Sequence, residues 1–212
     1  MRSYNQYCAV AKALDVIGDR WTLLIIRELT LRGPSRYTDL RRGLPGIATN
    51  LLAERLRELE RTGILAREEA PPPVATALFS LTERGAALAP VLDALGLWGV
   101  SYMTEGPEPG DEFRAHWLAW PVDMFLRDAD PDGAPVTIEL DTGDDPVLAR
   151  LDAGEITVQP GRGEIADVRI SGEPHPVLGL LTGALDIAQA RDAGVTVEGR
   201  AEILDRLQPA PA

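Results

Sequence analysis

Residues 36–63, RYTDLRRGLPGIATNLLAERLRELERTG, constrain the fold more than any other stretch of the chain. Tyr37, Leu40 and Leu44 share one face of a short helix, and Leu52, Leu56 and Leu59 one face of a longer one. Pro45 cannot continue the first helix and Gly46 permits a sharp turn, so the two helices must cross. The spacing predicts a helix-turn-helix. Asn50, Glu54, Arg57 and Arg61 point away from the leucine stripe, as a helix lying in a DNA major groove requires. The same pattern also suits two helices of an ordinary helical domain.

The chain has 212 residues, 45% of them apolar, which leaves room for one large domain or two small ones. No apolar run approaches the roughly 20 residues of a membrane span. The first residues, MRSYNQYC, lack the apolar core of a signal peptide. A cytoplasmic protein without a membrane span is expected. One cysteine excludes an internal disulfide framework, and with two distant histidines neither a zinc site nor any other metal or cofactor is expected. The net charge of −12 is unevenly spread: residues 1–104 carry 13 Lys and Arg against 11 Asp and Glu, and residues 105–212 carry 8 against 22. That asymmetry predicts two units with different partners, the basic face being local and turned away from the acidic half.

Before the helix-turn-helix, residues 8–18 predict a helix with Val10, Leu14 and Ile17 on one side, ended by Gly18. Residues 20–31 predict a second, burying Trp21, Leu24, Ile25 and Leu29. After Gly63, two short runs around the proline-rich segment 70–74 read as a hairpin, the second carrying Leu78, Phe79 and Leu81. A hairpin just after a recognition helix is a wing. A last helix sets Leu88, Val91, Leu92, Leu95 and Trp98 on one side, either to pair with its twin in a homodimer or to pack on the N-terminal helix.

Residues 8–99 resemble the HxlR-type winged helix-turn-helix regulators, a branch of the MarR-like group. The likeness rests on Cys8-Ala-Val, ALDVIGDRWTLLIIREL, GPSRYTDLRRGLPGIATNLLAERLRELERTGIL and FSLTERGAALAPVLDALGLWG, in that order. It implies a homodimer that binds double-stranded operator DNA and regulates transcription. Thr49, Asn50, Ala53 and Arg57 are then the candidates for the major groove, Asn pairing with adenine, Arg with guanine or phosphate, and Ala53 with a thymine methyl. Arg36, Thr38, Arg41 and Arg42 are candidate DNA contacts on the preceding helix, the arginines at phosphates. Arg55 lies nearer the buried face and reads as a structural ion pair. Two departures from the family pattern stand out. Ala48 replaces a capping Ser, leaving Thr49 to serve, and Val74-Ala75-Thr76-Ala77 lacks the wing's usual arginine. Cys8 matches an N-terminal cysteine that in some members resembles a redox switch, with Lys12 one turn on placed to lower its pKa; as a bland alternative it is a small buried apolar residue.

Residues 104–112, TEGPEPGDE, read as a linker between a domain at 1–104 and one at 113–212. Phe113, Trp117, Trp120 and Met124 form an aromatic stripe on a helix over 111–127, which Pro121 bends or interrupts. Val136, Ile138 and Leu140, then Ile156 and Val158, Val168 and Ile170, and Val195 and Val197 alternate as strands with one face buried. A helical stretch, PHPVLGLLTGALDIAQARDAG, lies between the last two. From ADVRISGEPHPVLGLLTGALDIAQARDAGVTVEGRAEILDRL, this half resembles the sterol-carrier-protein-like domains, whose pattern is strand, helix ending in Thr-Gly, second helix, then strand ending in Glu-Gly. That resemblance implies an apolar tunnel for a lipid or other apolar small molecule, with Phe113, Trp117, Trp120, Met124, Leu178, Leu181 and Leu185 as candidate lining. His116 and His175 read as surface or loop residues, and no catalytic constellation is found, so no enzyme is expected. The expected fold is α+β: a winged helix-turn-helix domain, then a smaller α+β sterol-carrier-like domain. The expected function is a DNA-binding transcriptional regulator under small-molecule control; the alternative is a lipid carrier using the winged helix as a dimerisation scaffold.

Overall fold

The computed structural model describes residues 3–69, 76–103, 106–163 and 165–209. It divides into two compact units, Met1–Tyr102 and Met103–Ala212, the second being the longer.

In the first unit, α1 (Ala9–Ile17) and α2 (Thr22–Arg32) precede a two-residue strand β1 (Ser35–Arg36). Then come α3 (Tyr37–Arg42), α4 (Thr49–Arg61), β2 (Leu65–Glu69), β3 (Ala77–Leu81), a single turn α5 (Glu83–Ala86) and α6 (Ala89–Val100). β3 pairs antiparallel with both β1 and β2, so the hairpin is tied back to the start of the helix-turn-helix. Its proline-rich tip lies outside the described residues. The core gathers Ile25, Ile26 and Leu29 of α2, Leu40, Leu44 and Ile47, the leucine stripe of α4, and Ile64, Leu65 and Phe79.

Two sequence expectations are corrected here, because an apolar stripe shows that a face is to be covered, not what covers it. Val10 and Leu14 of α1 are exposed, and only Ala11 of that helix is buried. Leu24 is exposed while Ile26 and Glu28 of α2 are buried. The stripe of the last helix lies wholly on α6 and its cap residue Leu88, and burial divides it. Leu88 and Leu92 pack on the core, whereas Val91, Leu95 and Trp98 face out.

The second unit opens with a 3-10 turn over Ala115–Leu118, followed by α7 (Ala119–Phe125) and β4 (Leu126–Asp128). Strands β5 (Val136–Asp141), β6 (Val147–Asp152), β7 (Glu155–Pro160) and β8 (Val168–Ser171) lead to α8 (Pro174–Leu181), α9 (Ile187–Asp192) and β9 (Thr196–Gly199). After a second 3-10 segment, Ala201–Arg206, a short β10 (Leu207–Pro209) pairs with β4. The main sheet has the order β7-β6-β5-β8-β9, with β5 and β8 parallel and the other neighbours antiparallel. Val136, Ile138, Leu140, Val147, Ala149, Leu151, Val168 and Ile170 fill its buried face by period-two alternation. On the opposite face Glu139 is also fully buried, accepting hydrogen bonds from Arg169 Nε at 2.9 Å and from the Gly163 backbone N–H at 3.3 Å. A buried carboxylate is tolerable only with such partners.

Of the bend or interruption expected at Pro121 in the helix over 111–127, the structure has the interruption, and the first part of that stretch is only a 3-10 turn. Pro121 sits in the first turn of α7, where its missing N–H deprives no carbonyl of a partner, so the helix restarts just before it. Phe113 therefore lies off the helix, and Ala115, His116, Leu118 and Val122 are the buried residues, with Trp117, Trp120 and Met124 only half-buried. His116 is buried, contrary to the surface role expected of it, while His175 is exposed. The unit is closed by Arg206, whose guanidinium holds the buried Asp128 carboxylate at 2.6 and 2.9 Å. That bond keeps the Asp128 carboxyl below the usual carboxylate range.

Candidate nucleic-acid interface

The leucine stripe dictates which side of α4 remains available. Leu52, Leu56 and Leu59 are buried at 0–2% exposure, so residues half a turn away must face out. Thr49, Asn50, Glu54, Arg57 and Arg61 are exposed, and Ala53 is half-buried on the flank. Arg57 lies back along its helix, its Nε donating to the Ala53 carbonyl at 3.2 Å. Arg61 grips Glu58 with two hydrogen bonds, 2.7 and 3.0 Å, which lower the Glu58 carboxyl and raise Arg61. Its charge is therefore partly spent within the protein.

Arg36, Thr38, Arg41 and Arg42 are exposed around α3. The backbone N–H of Arg36 donates to Asp39 at 3.3 Å, which closes the first turn of that helix. The Tyr37 hydroxyl donates to the Thr49 carbonyl at 2.8 Å and so fastens the start of α3 to the start of α4. Sequence reading assigned Tyr37 only to an apolar stripe; a phenol has a polar end that finds a partner when its ring packs. Thr49 does not cap α4. It is the first helical residue, and Ala48, which holds the cap position, makes no side-chain cap hydrogen bond. Arg55 bonds Asp19 at 2.6 Å, the structural pairing its position on the helix suggested.

Residues 16–107 match the model of the HxlR-like helix-turn-helix family. The HTH-type transcriptional regulator YvaP of Bacillus subtilis (strain 168) is 36% identical over 92 residues, 43% of this chain and 84% of YvaP. The chain belongs to the HxlR-like helix-turn-helix family. The HTH-type transcriptional regulator YodB of the same organism is 36% identical over 108 residues, half of this chain and 92% of YodB. The reduced form of YodB, a solved structure, is 33% identical, covering 48% of this chain and all of that one with a TM-score of 0.41.

The wing of this HxlR-like unit is acidic as far as it is described: β2 carries Glu68 and Glu69 outward, and Arg67 is paired to Glu69 at 3.0 Å. Val74 and Ala75 lie outside the described residues. Cys8 is an exposed free thiol immediately before α1. Its pKa is lowered by the backbone N–H groups of Ala11 and Val10 in the first helical turn. Lys12 is not the cause; its ammonium lies 3.5 Å from the Asp15 carboxylate.

In the second unit Leu181 is buried, and Phe113, Leu178 and Leu185 pack against the core as half-buried residues. Phe113 and Trp117 meet edge to face, with ring centroids 5.8 Å apart. A cleft of about 360 Å³ lies beside α7 and β7, lined by Asp123, Leu126, Arg127, Gly154, Glu155, Ile156 and Thr157. None of the seven sequence candidates for a ligand lining borders that cleft. Among the described residues no cluster of His, Cys, Asp and Glu is placed to hold a metal ion, and no helix is long and apolar enough to cross a membrane.

Proposed function

We propose that this protein is a homodimeric, sequence-specific DNA-binding regulator of transcription. The observation that carries the reading is the polar, exposed side of α4, opposite a fully buried leucine stripe, in a chain 36% identical to HTH-type regulators. In this reading Thr49, Asn50, Ala53 and Arg57 face base edges, with Asn50 and Arg57 supplying most of the discrimination. Arg36, Thr38, Arg41 and Arg42 hold the backbone and fix the register. The acidic wing and the pairing of Arg61 leave recognition to the two helices.

Selection of bound sequences from random duplex DNA, read at two salt concentrations, tests this. One preferred palindrome with affinity falling steeply as salt rises is the expected result. Asn50→Ala and Arg57→Ala should each cost about 1–3 kcal/mol on the preferred duplex and relax its sequence at one position per half-site. Equal binding of all sequences by the wild type would end the reading.

The second unit is proposed to bind an apolar small molecule and to shift operator affinity through it. Support comes from its chain order: β8, then α8 followed by Thr182-Gly183, then α9, then β9 ending at Glu198-Gly199, which follows the sterol-carrier-like pattern. A ligand can move operator affinity only by its differential affinity for two states of the protein. Titration with a series of fatty acids, following ligand uptake and operator affinity together, is the measurement. Uptake without any change in operator affinity would remove this part of the reading.

A further inference from the structure

Asp19, Arg20 and Trp21 form the turn between α1 and α2, and the two outer residues are both fastened to the helix-turn-helix. Arg55 of α4 donates to the Asp19 carboxylate at 2.6 Å. The Trp21 ring lies 3.8 Å from the point where a side chain on Gly46, in the turn between α3 and α4, would begin. Trp21 also adopts φ +78°, a left-handed backbone that a bulky L residue rarely takes and that persists only where its surroundings impose it. Pinned at both ends, the turn leaves the middle side chain outside. Arg20 is exposed, with its guanidinium 5.7 Å from the centroid of the Trp21 ring, close enough for attraction to the ring face. Among the described residues, Arg20 forms no ion pair with a carboxylate.

We propose that Arg20 is a further DNA contact, gripping a backbone phosphate beside the groove that α4 enters. The inference rests on the DNA-binding reading above. Arg55 lies well round α4 from Asn50 and Arg57, but the Trp21 ring beside Gly46 sets this turn next to the residues that lead into the first turn of α4, the end of a recognition helix that enters the groove. A cation displayed there is placed to meet the sugar-phosphate edge. Resting on an indole also restricts the guanidinium before binding, so less side-chain freedom is lost when a phosphate oxygen is gripped. The contact would carry register and affinity without sequence information.

The test uses the full chain with Arg20→Ala and Arg20→Lys, on the preferred duplex and on a scrambled one, across a salt series. Arg20→Ala should weaken both duplexes by the same factor, about fivefold at low salt, and reduce the salt slope by about one unit per protomer. Arg20→Lys should restore the slope. Phosphate ethylation interference should show one phosphate in each half-site that matters to the wild type and not to Arg20→Ala. Both variants should melt with the wild type, since the side chain is exposed. An unchanged slope in Arg20→Ala, while Asn50→Ala has lost sequence preference, would overturn the role of Arg20 and leave the DNA-binding reading standing. Failure of the wild type to bind any duplex in a salt-dependent way would overturn both.

Discussion

A protein carrying Leu95→Asp and Trp98→Asp should sediment as a monomer and lose about two to four orders of magnitude in operator affinity. The reasoning begins with α6, a twelve-residue helix in which no residue is buried. Val91, Leu95, Leu97 and Trp98 are 45–63% exposed, and Trp98 meets the exposed Tyr102 ring at a tilt of 60° with centroids 4.9 Å apart. Val10 and Leu14 of α1 add further exposed apolar surface. A contiguous apolar surface of this kind marks an interface on a folded protein, and a tryptophan within it carries a large share of the binding energy. Two carboxylates placed there would be desolvated without partners. Because neither side chain belongs to the core of the first unit, the variant should keep its helix content and lose only the part of its melting temperature that dimerisation supplies. A two-fold dimer presents two recognition helices to one duplex, so its loss removes the second binding event altogether. A wild type that is monomeric at micromolar concentration, or a double variant that stays dimeric, would refute the proposal. Cys8, with its lowered pKa, immediately precedes α1, so oxidant treatment of the dimer followed by non-reducing electrophoresis reports directly on whether the two thiols meet.

The largest stability effect is expected inside the first unit. Glu28 is fully buried in α2 and is held by Arg27 at 2.8 Å and Arg32 at 3.4 Å. Burial lowers the pKa of Arg27 while the Glu28 carboxylate counters that effect. Gly43, at the end of α3, leaves the space the carboxylate occupies: a Cβ there would clash with Glu28 Oε2. Glu28→Ala removes the buried carboxylate that both arginines face, and should cost about 3–5 kcal/mol in urea unfolding of the full chain. Gly43→Ala should cost about 1–3 kcal/mol by overpacking against the same carboxylate. Their effects should not add, because the alanine at 43 clashes with a group that Glu28→Ala removes. A loss below about 1 kcal/mol for Glu28→Ala would show that the arginines reach water without cost.

What could be read from the sequence follows from where each side chain's partner lies. The α4 stripe was legible because Leu52, Leu56 and Leu59 repeat at helical spacing with charge opposite them, and the structure buries all three. The Pro45-Gly46 break was legible because a proline and a glycine at φ +82° leave few conformations for the backbone. Glu28 was not: a charged residue reads as exposed until its partners, one beside it and one a turn away, fold around it. Strand β6 was missed although Val147, Ala149 and Leu151 alternate, because Leu148 fills the place where a polar residue marks the open face. The outward face of α6 was legible as a stripe for the reason that made α4 legible, but its partner was left open between a second copy and the N-terminal helix. Periodicity reports burial without naming the partner, and a second chain satisfies it as well as the same one.

The parallel ladder between β5 and β8 has a consequence for how the second unit finds one arrangement. Antiparallel neighbours joined by tight turns are aligned by the turn itself; β5 and β8 are separated in the chain by two whole strands and have no such guide. Glu139 and Arg169 sit directly opposite one another across this seam and are bonded at 2.9 Å. A slip of β8 by one residue would drive Arg169 toward the hydrocarbon interior and leave Glu139 with only the longer pairing to Arg162, at 3.5 Å. The pair thus acts as a key for alignment, penalising a one-residue shift of β8 on the central strand β5.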